Sequence, residues 1–177
     1  MIYEEKTVKS DIIYEGRILN LRVNTVELPN QKYSKREIVD HGKAVALIPI
    51  KEDKIIFVRQ HRIAVGKVLL ELPAGLVEAN EEPRETALRE MQEEIGYTSD
   101  NMEYLFDSLS SPGFTNEKTS FFLAKDLVEK KGTPDEDEFL DVVEYTVEEA
   151  LNMIDSGEII DAKTIIGVLY AARILNK

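Results

Sequence analysis

The sequence predicts an α+β fold: a mixed β-sheet sandwiched between a few helices, preceded by a small β-rich N-terminal piece. Three observations carry that expectation. Apolar, β-prone runs such as KAVALIPI and IIFVRQHR are too short for typical helices and are separated by a polar turn. An amphipathic helix opened by Glu82-Pro83 and ended by Gly96 interrupts the strands, and two more helices close the chain. Strands and helices intermix without the βαβα rhythm of a doubly wound sheet.

Residues 1–42 read as short strands. Ile12-Ile13-Tyr14 precedes a β-prone stretch from Ile18 to Leu28, Pro29-Asn30-Gln31 makes a turn, and YSKREIVDH returns from Tyr33. Two or three strands are marginally stable alone, so this segment is expected to lie on the main domain, on a partner subunit, or on both. The main domain, residues 43–177, begins with KAVALIPI, the turn Lys51-Glu52-Asp53-Lys54 and the basic-ended strand IIFVRQHR. A strand from Lys67 to Leu72 is stopped by Pro73, and Ala74-Gly75 is expected to turn the chain. The helix after Pro83 buries Ala87, Leu88, Met91 and Ile95. MEYLFDSL and KTSFFLAKDL flank the loop SSPGFTNE, and Phe139 to Tyr145 is the last strand after the acidic loop GTPDEDE. Thr146 and Glu149 form a capping box for a helix through Ile154, and Ala162 to Leu175 makes another, with Ile165, Ile166, Leu169 and Ala172 expected inward.

Composition narrows the function. A chain of 177 residues with 43% hydrophobic and 32% charged side chains suits one full core with a small appendage. Its formal charge of −12 argues against a nucleic-acid partner, which needs a basic surface, but not against a nucleotide. The absence of cysteine excludes thiol catalysis and disulfides. No apolar run approaches the roughly 18 residues of a membrane span, and the first residues lack a signal-peptide core, so cytoplasm is the expected compartment.

The most informative stretch runs from Gly75 to Tyr97. Glu90, Glu93 and Glu94, at i, i+3 and i+4, share one helix face. Like charges at that spacing repel, so something should offset them, and a hard divalent cation with oxygen ligands is the simplest candidate. Arg89 is placed to pair with Glu85 and Glu93 at i±4. His41 and His61 are not spaced as a metal pair.

Gly75, Glu81, Arg89, Glu90, Met91, Glu93, Glu94, Gly96 and Tyr97 resemble the Nudix hydrolase motif G-x5-E-x7-R-E-U-x-E-E-x-G-U, where U is bulky and aliphatic. Only Tyr97 departs from it, a difference expected to concern packing. Further segments resemble the ADP-ribose pyrophosphatase branch: SKREIV, VRQHR, ELPAG, SPGF, DAKTIIGVLY, and Pro112, 16 residues beyond Gly96. The resemblance implies a Nudix domain over residues 43–177. It also implies that residues 1–42 form a small dimerisation domain exchanged between the subunits of a homodimer.

It implies roles as well. Mg²⁺, with Mn²⁺ a possible substitute, would be held by the Ala74 carbonyl, Glu90 and Glu94, with Glu93 a ligand or a bridge to a second ion. Arg89 would orient the glutamates, and Glu81 would stabilise the loop–helix junction. The general base would be Glu136 first and Glu138 second. Arg59 and Arg62 would contact the diphosphate or the terminal ribose, Arg36 and Glu37 would frame the adenine, and Phe114 would shape the pocket or pack in the core. The implied reaction is hydrolysis of ADP-ribose to AMP and ribose 5-phosphate. Another nucleoside diphosphate sugar, such as GDP-mannose, or a dinucleoside polyphosphate is the alternative substrate. A silent nucleotide-binding module would have lost part of the motif, and this chain keeps Arg89, Glu90, Glu93 and Glu94.

Overall fold

The computed structural model describes residues 2–133 and 139–175. In chain order its elements are β1 (Lys6–Glu15), β2 (Leu19–Glu27), β3 (Tyr33–His41), β4 (Ala44–Lys51), β5 (Lys54–Arg62), β6 (Lys67–Glu71) and β7 (Ala74–Leu76). There follow α1 (Pro83–Ile95), β8 (Tyr97–Thr98), β9 (Asn101–Leu109), β10 (Lys118–Lys125), β11 (Val128–Glu129), β12 (Asp141–Thr146), α2 (Val147–Ser156) and α3 (Ala162–Leu175). Residues through Lys43, together with Leu109–Lys118, form one compact unit, and the remainder forms a second.

In the first unit β1, β2 and β3 make an antiparallel meander. β1 starts well ahead of Ile12 and slips register between Thr7 and Lys9 and again between Ile12 and Tyr14. Each slip breaks the register of the ladder, so no period-2 pattern announces the early part of this strand. The loop from Leu109 is tied to β3: the Val39 N–H donates to the Phe114 carbonyl at 2.8 Å, and the Asn116 side chain accepts from the His41 N–H at 2.9 Å. Asn116 also donates to Asp40 at 2.9 Å, and Asp40 takes two bonds from Arg22 at 2.6 and 3.2 Å.

The second unit is the mixed sheet that the sequence predicts, ordered β12-β5-β4-β10-β9, with β6 on β5 and β7 on β4. β4 runs parallel to β10 and antiparallel to β5 and β7. Alternate residues divide the core. Val45, Leu47, Ile56, Val58 and Phe122 pack with Ala87, Met91 and Ile95 of α1, while Ile48, Ile50, Ile55, Phe57 and Leu123 pack with Ala150 of α2 and Val168 and Ala171 of α3. Covering both faces is why KAVALIPI and IIFV are unbroken apolar runs. Each such side chain contributes about 1.5–3 kcal/mol of burial.

Caps bound the helices as expected. Glu85 accepts the Glu82 N–H at 3.1 Å ahead of Pro83, and Gly96 ends α1 with φ 75°. The Thr146–Glu149 box is made in both directions, at 3.2 and 2.8 Å, and α2 runs on to Ser156 before Gly157. The inward face of α3 differs from the prediction. Thr164, Gly167, Val168 and Ala171 are buried, whereas Ile166 and Leu169 are exposed. Small residues win the inner face because the helix lies close to the sheet: a Cβ at Gly167 would fall 2.3 Å from Leu72 Cδ1.

Candidate active site

The site grows from a split in the sheet. β4 and β5 pair only beside their turn, at Ile50–Ile55 and Lys51–Lys54. Beyond that point β5 pairs with β6, and β4 takes β7 at Ala44–Leu76, Val45–Gly75 and Ala46–Ala74. The Ala74-Gly75 segment, predicted as a turn, is therefore a short strand. Three residues with a central glycine carry no β signal of their own, and it is the open edge of β4 that makes them one.

That placement lays β7 against α1. A Cβ on Gly75 would lie 1.8 Å from Glu90 Oε1, so only glycine admits the Glu90 carboxylate here. One turn along, Glu94 Oε2 accepts the Ala74 N–H at 3.0 Å. Glu90 and Glu94 are 8% and 7% exposed, so the carboxylate face predicted from spacing is largely a buried one, with Glu93 at its edge. Burying carboxylates is costly unless they are paired or ligate a metal.

Arg89 gathers the cluster with a full set of donors. Its Nη1 reaches Glu90 Oε1 and Glu93 Oε2, both at 2.8 Å. Its Nε and Nη2 hold Glu81 at 3.1 and 3.2 Å, and Nη2 also reaches the Leu76 carbonyl at 3.3 Å. Five N–H donors meet five acceptors, leaving none for Glu85, the expected i−4 partner. Glu85 caps the helix while Glu81, from the loop, takes the guanidinium edge. Arg89 holds the Glu81 carboxyl below its ordinary range, Thr86 and the Glu78 N–H adding to the effect against partial burial. Glu81 thus locks the junction between loop and helix, the role the motif implies.

The three glutamates do not converge on a single point among the described residues. Glu90 and Glu93 share Arg89, and Glu94 faces the Ala74 backbone. The donor set nevertheless fits a hard divalent cation: carboxylate oxygens and a nearby backbone segment, with a glycine cleared so that one carboxylate can approach the strand.

Other predicted residues have defined surroundings. Arg59 Nη2 donates to Tyr145 Oη at 2.7 Å. Arg62 pairs with Glu71 through Nε and Nη2 at 2.8 and 2.9 Å. In the first unit Arg36 bonds Glu5 at 2.9 Å through Nε and Ser34 Oγ at 2.9 Å through Nη1, while Glu37 is exposed on the opposite face of β3. Phe114 is exposed in the loop bound to β3 and does not pack in a core. Glu136 and Glu138 lie outside the described residues. The chain leading towards them is anchored on α1, where the Gly132 N–H donates to the Gln92 carbonyl at 2.9 Å. Tyr97 packs beside the α1 core, with Lys51 Nζ 5.4 Å from its ring centre.

Sequence reasoning missed a second cluster. Glu71, 1% exposed, binds Lys163 as well as Arg62, and Lys163 reaches Asp161 at 3.1 Å. Asp161 caps α3, accepting from the Thr164 N–H at 3.0 Å and its hydroxyl at 2.6 Å, and Thr164 Oγ1 accepts the Leu72 N–H at 2.8 Å. One signal was available: a lysine in the first turn opposes the helix dipole and so calls for an acidic partner.

Residues 40–166 match the NUDIX domain model, and residues 5–39 match the nucleoside diphosphate sugar hydrolase N-terminal domain. The chain belongs to the Nudix hydrolase family. It is 48% identical to a methanol dehydrogenase activator of Bacillus methanolicus, over 96% of this chain and 93% of the relative. It is 45% identical to an ADP-ribose pyrophosphatase of Bacillus subtilis (strain 168), over 94% of this chain and 92% of the relative. Among solved structures, an ADP compounds hydrolase shares the fold with a TM-score of 0.90 at 20% identity, covering 99% of this chain and 96% of that one. Nudix hydrolases generally use divalent metal ions. No described helix of this Nudix hydrolase is long and apolar enough to cross a membrane.

Proposed function

We propose that this Nudix hydrolase is a Mg²⁺-dependent ADP-ribose diphosphatase, releasing AMP and ribose 5-phosphate. The observation that carries the reading is the closed Gly75–Glu90–Arg89–Glu81 arrangement, which presents buried carboxylates beside a backbone segment and leaves no motif residue without a task. The name of the Bacillus subtilis relative supports the choice of substrate. The name of the Bacillus methanolicus relative states an effect on another enzyme.

Glu90, Glu94 and the Ala74 carbonyl would hold the metal, with Glu93 a further ligand or a bridge. Bound there, the ion supplies charge neutralisation to the diphosphate oxygens and acidity to a water. Arg89 fixes the glutamates in place and takes no part in bond making. Glu136, with Glu138 the second candidate, accepts the proton of the attacking water. A P–O bond to the bridging oxygen breaks as the water oxygen bonds to phosphorus, leaving a phosphate on each product. Arg59 and Arg62 bind the diphosphate or the terminal ribose, and Arg36 and Glu37 frame the adenine from one subunit of a homodimer. That homodimer is built through the N-terminal strands, in a cytoplasmic protein.

The test is a substrate panel of ADP-ribose, GDP-mannose and a dinucleoside polyphosphate, each with Mg²⁺, with Mn²⁺ and in chelator. ADP-ribose is expected to have the highest kcat/KM with Mg²⁺ and to be inert in chelator. A preference for GDP-mannose would replace the substrate, and turnover in chelator would remove the metal. Comparing Glu136→Gln with Glu138→Gln ranks the two bases, and wild-type rates in both would exclude both.

A further inference from the structure

Glu71, Arg62, Lys163 and Asp161 form a balanced set of two acids and two bases at the junction of β5, β6 and α3. Burial pushes the Glu71 carboxyl up, yet Arg62 and Lys163 outweigh it and hold Glu71 below the ordinary carboxylate range. The network is also a two-point clamp. Glu71 and Leu72, consecutive in the chain, are bound by Lys163 and Thr164, consecutive on α3. The clamped strand leads directly to Ala74, whose N–H holds Glu94.

Arg62 spends only one edge of its guanidinium on this network. Nε and Nη2 face Glu71, Nη1 has no partner among the described residues, and the side chain is 42% exposed. A guanidinium fixed along one edge by a buried carboxylate keeps its outer donors in a set orientation, the arrangement that suits a phosphate oxygen. Asp161 and Glu94 both act on the Arg62 charge as well. Without Lys163, two carboxylates would face Arg62 as their sole cation in the network, and the outer edge would be drawn inward to serve them.

We infer that Lys163 is a positioning residue: by neutralising Glu71 and Asp161 it keeps the outer edge of Arg62 directed at a substrate phosphate. The inference rests on the hydrolase reading above and adds a residue that touches no substrate.

The experiment is a double-mutant cycle of Lys163→Met and Arg62→Met, with Lys163→Arg as the conservative variant and Lys163→Gln standing in should Lys163→Met not fold. KM and kcat are measured on the panel substrate that the wild type prefers, and calorimetric binding of ADP in chelator repeats the cycle without hydrolysis. Lys163→Met is expected to raise KM and the ADP dissociation constant roughly tenfold, the scale of one charge-assisted hydrogen bond, with kcat within about twofold. Lys163→Arg restores both, and Lys163→Met adds nothing once Arg62 is gone. An unchanged KM, effects that add in full, or a wild type that does not bind ADP overturns the inference. A wild type that binds ADP with the expected cycle yet hydrolyses no panel substrate counts against the hydrolase reading alone.

Discussion

β1 and β4 are strands of similar length in opposite circumstances. From Val45 to Ile50 every residue of β4 is buried, and its apolar side chains find helices on both faces of the sheet. In β1 almost every residue is exposed, including Ile12 at 63% and Ile13 at 60%, and its ion pair Lys9–Asp11 lies in solvent. Such a surface pair contributes little, so the first unit depends on its β ladder and on the loop bound to β3. The contrast shows where each kind of work is done. The buried sheet sets carboxylates against a backbone segment, whereas β1 leaves apolar side chains such as Ile12 and Ile13 exposed.

The largest expected effect breaks the buried side. Glu94→Gln should leave far-UV circular dichroism unchanged and lower kcat by at least about 10²-fold, through loss of a charged ligand. Near-normal turnover in a folded variant would remove Glu94 from the site. Next, Gly167→Val should cost about 1–3 kcal/mol by overpacking against Leu72, read as a fall of several degrees in the thermal midpoint. An unchanged midpoint would mean that α3 moves away from the sheet at no cost.

The exposed side is probed by the pair Ile12→Asp and Ile13→Asp. Combined, they should weaken self-association by roughly 10- to 100-fold, the scale of losing one interface anchor, with little change in the melting of the main domain. Light scattering across a dilution series reads this out, and a wild type that is monomeric at every concentration ends the dimer proposal.

The smallest effect concerns pH. Glu81 has a folded pKa below its ordinary 4.5, so its contribution is present above that value and is lost as pH falls through the folded one. The gap in thermal midpoint between wild type and Glu81→Gln should therefore be widest at neutral pH and close on acidification below about pH 4.5. A gap that stays constant would separate Glu81 from the Arg89 pair.

What the sequence alone determined is what local spacing can encode. Unbroken apolar runs placed β4, β5 and β10, Pro83 and Gly96 bounded α1, and the Thr146–Glu149 box opened α2. The i, i+3, i+4 pattern put three glutamates on one face, because residue spacing fixes direction around a helix. Tertiary structure decided which groups meet. It chose Glu81 over Glu85 for Arg89, because the returning loop brings a carboxylate to the outer edge of the guanidinium. It made a strand of Ala74–Leu76 by offering the edge of β4, and it turned the smallest residues of α3 inward by bringing that helix close to the sheet. It also joined Glu71 to Lys163 across 92 positions of chain, a contact that no local periodicity records. The division has one physical cause: backbone dihedrals and the facing of side chains are set by neighbours in sequence, whereas pairing of charges and close packing depend on where distant segments return.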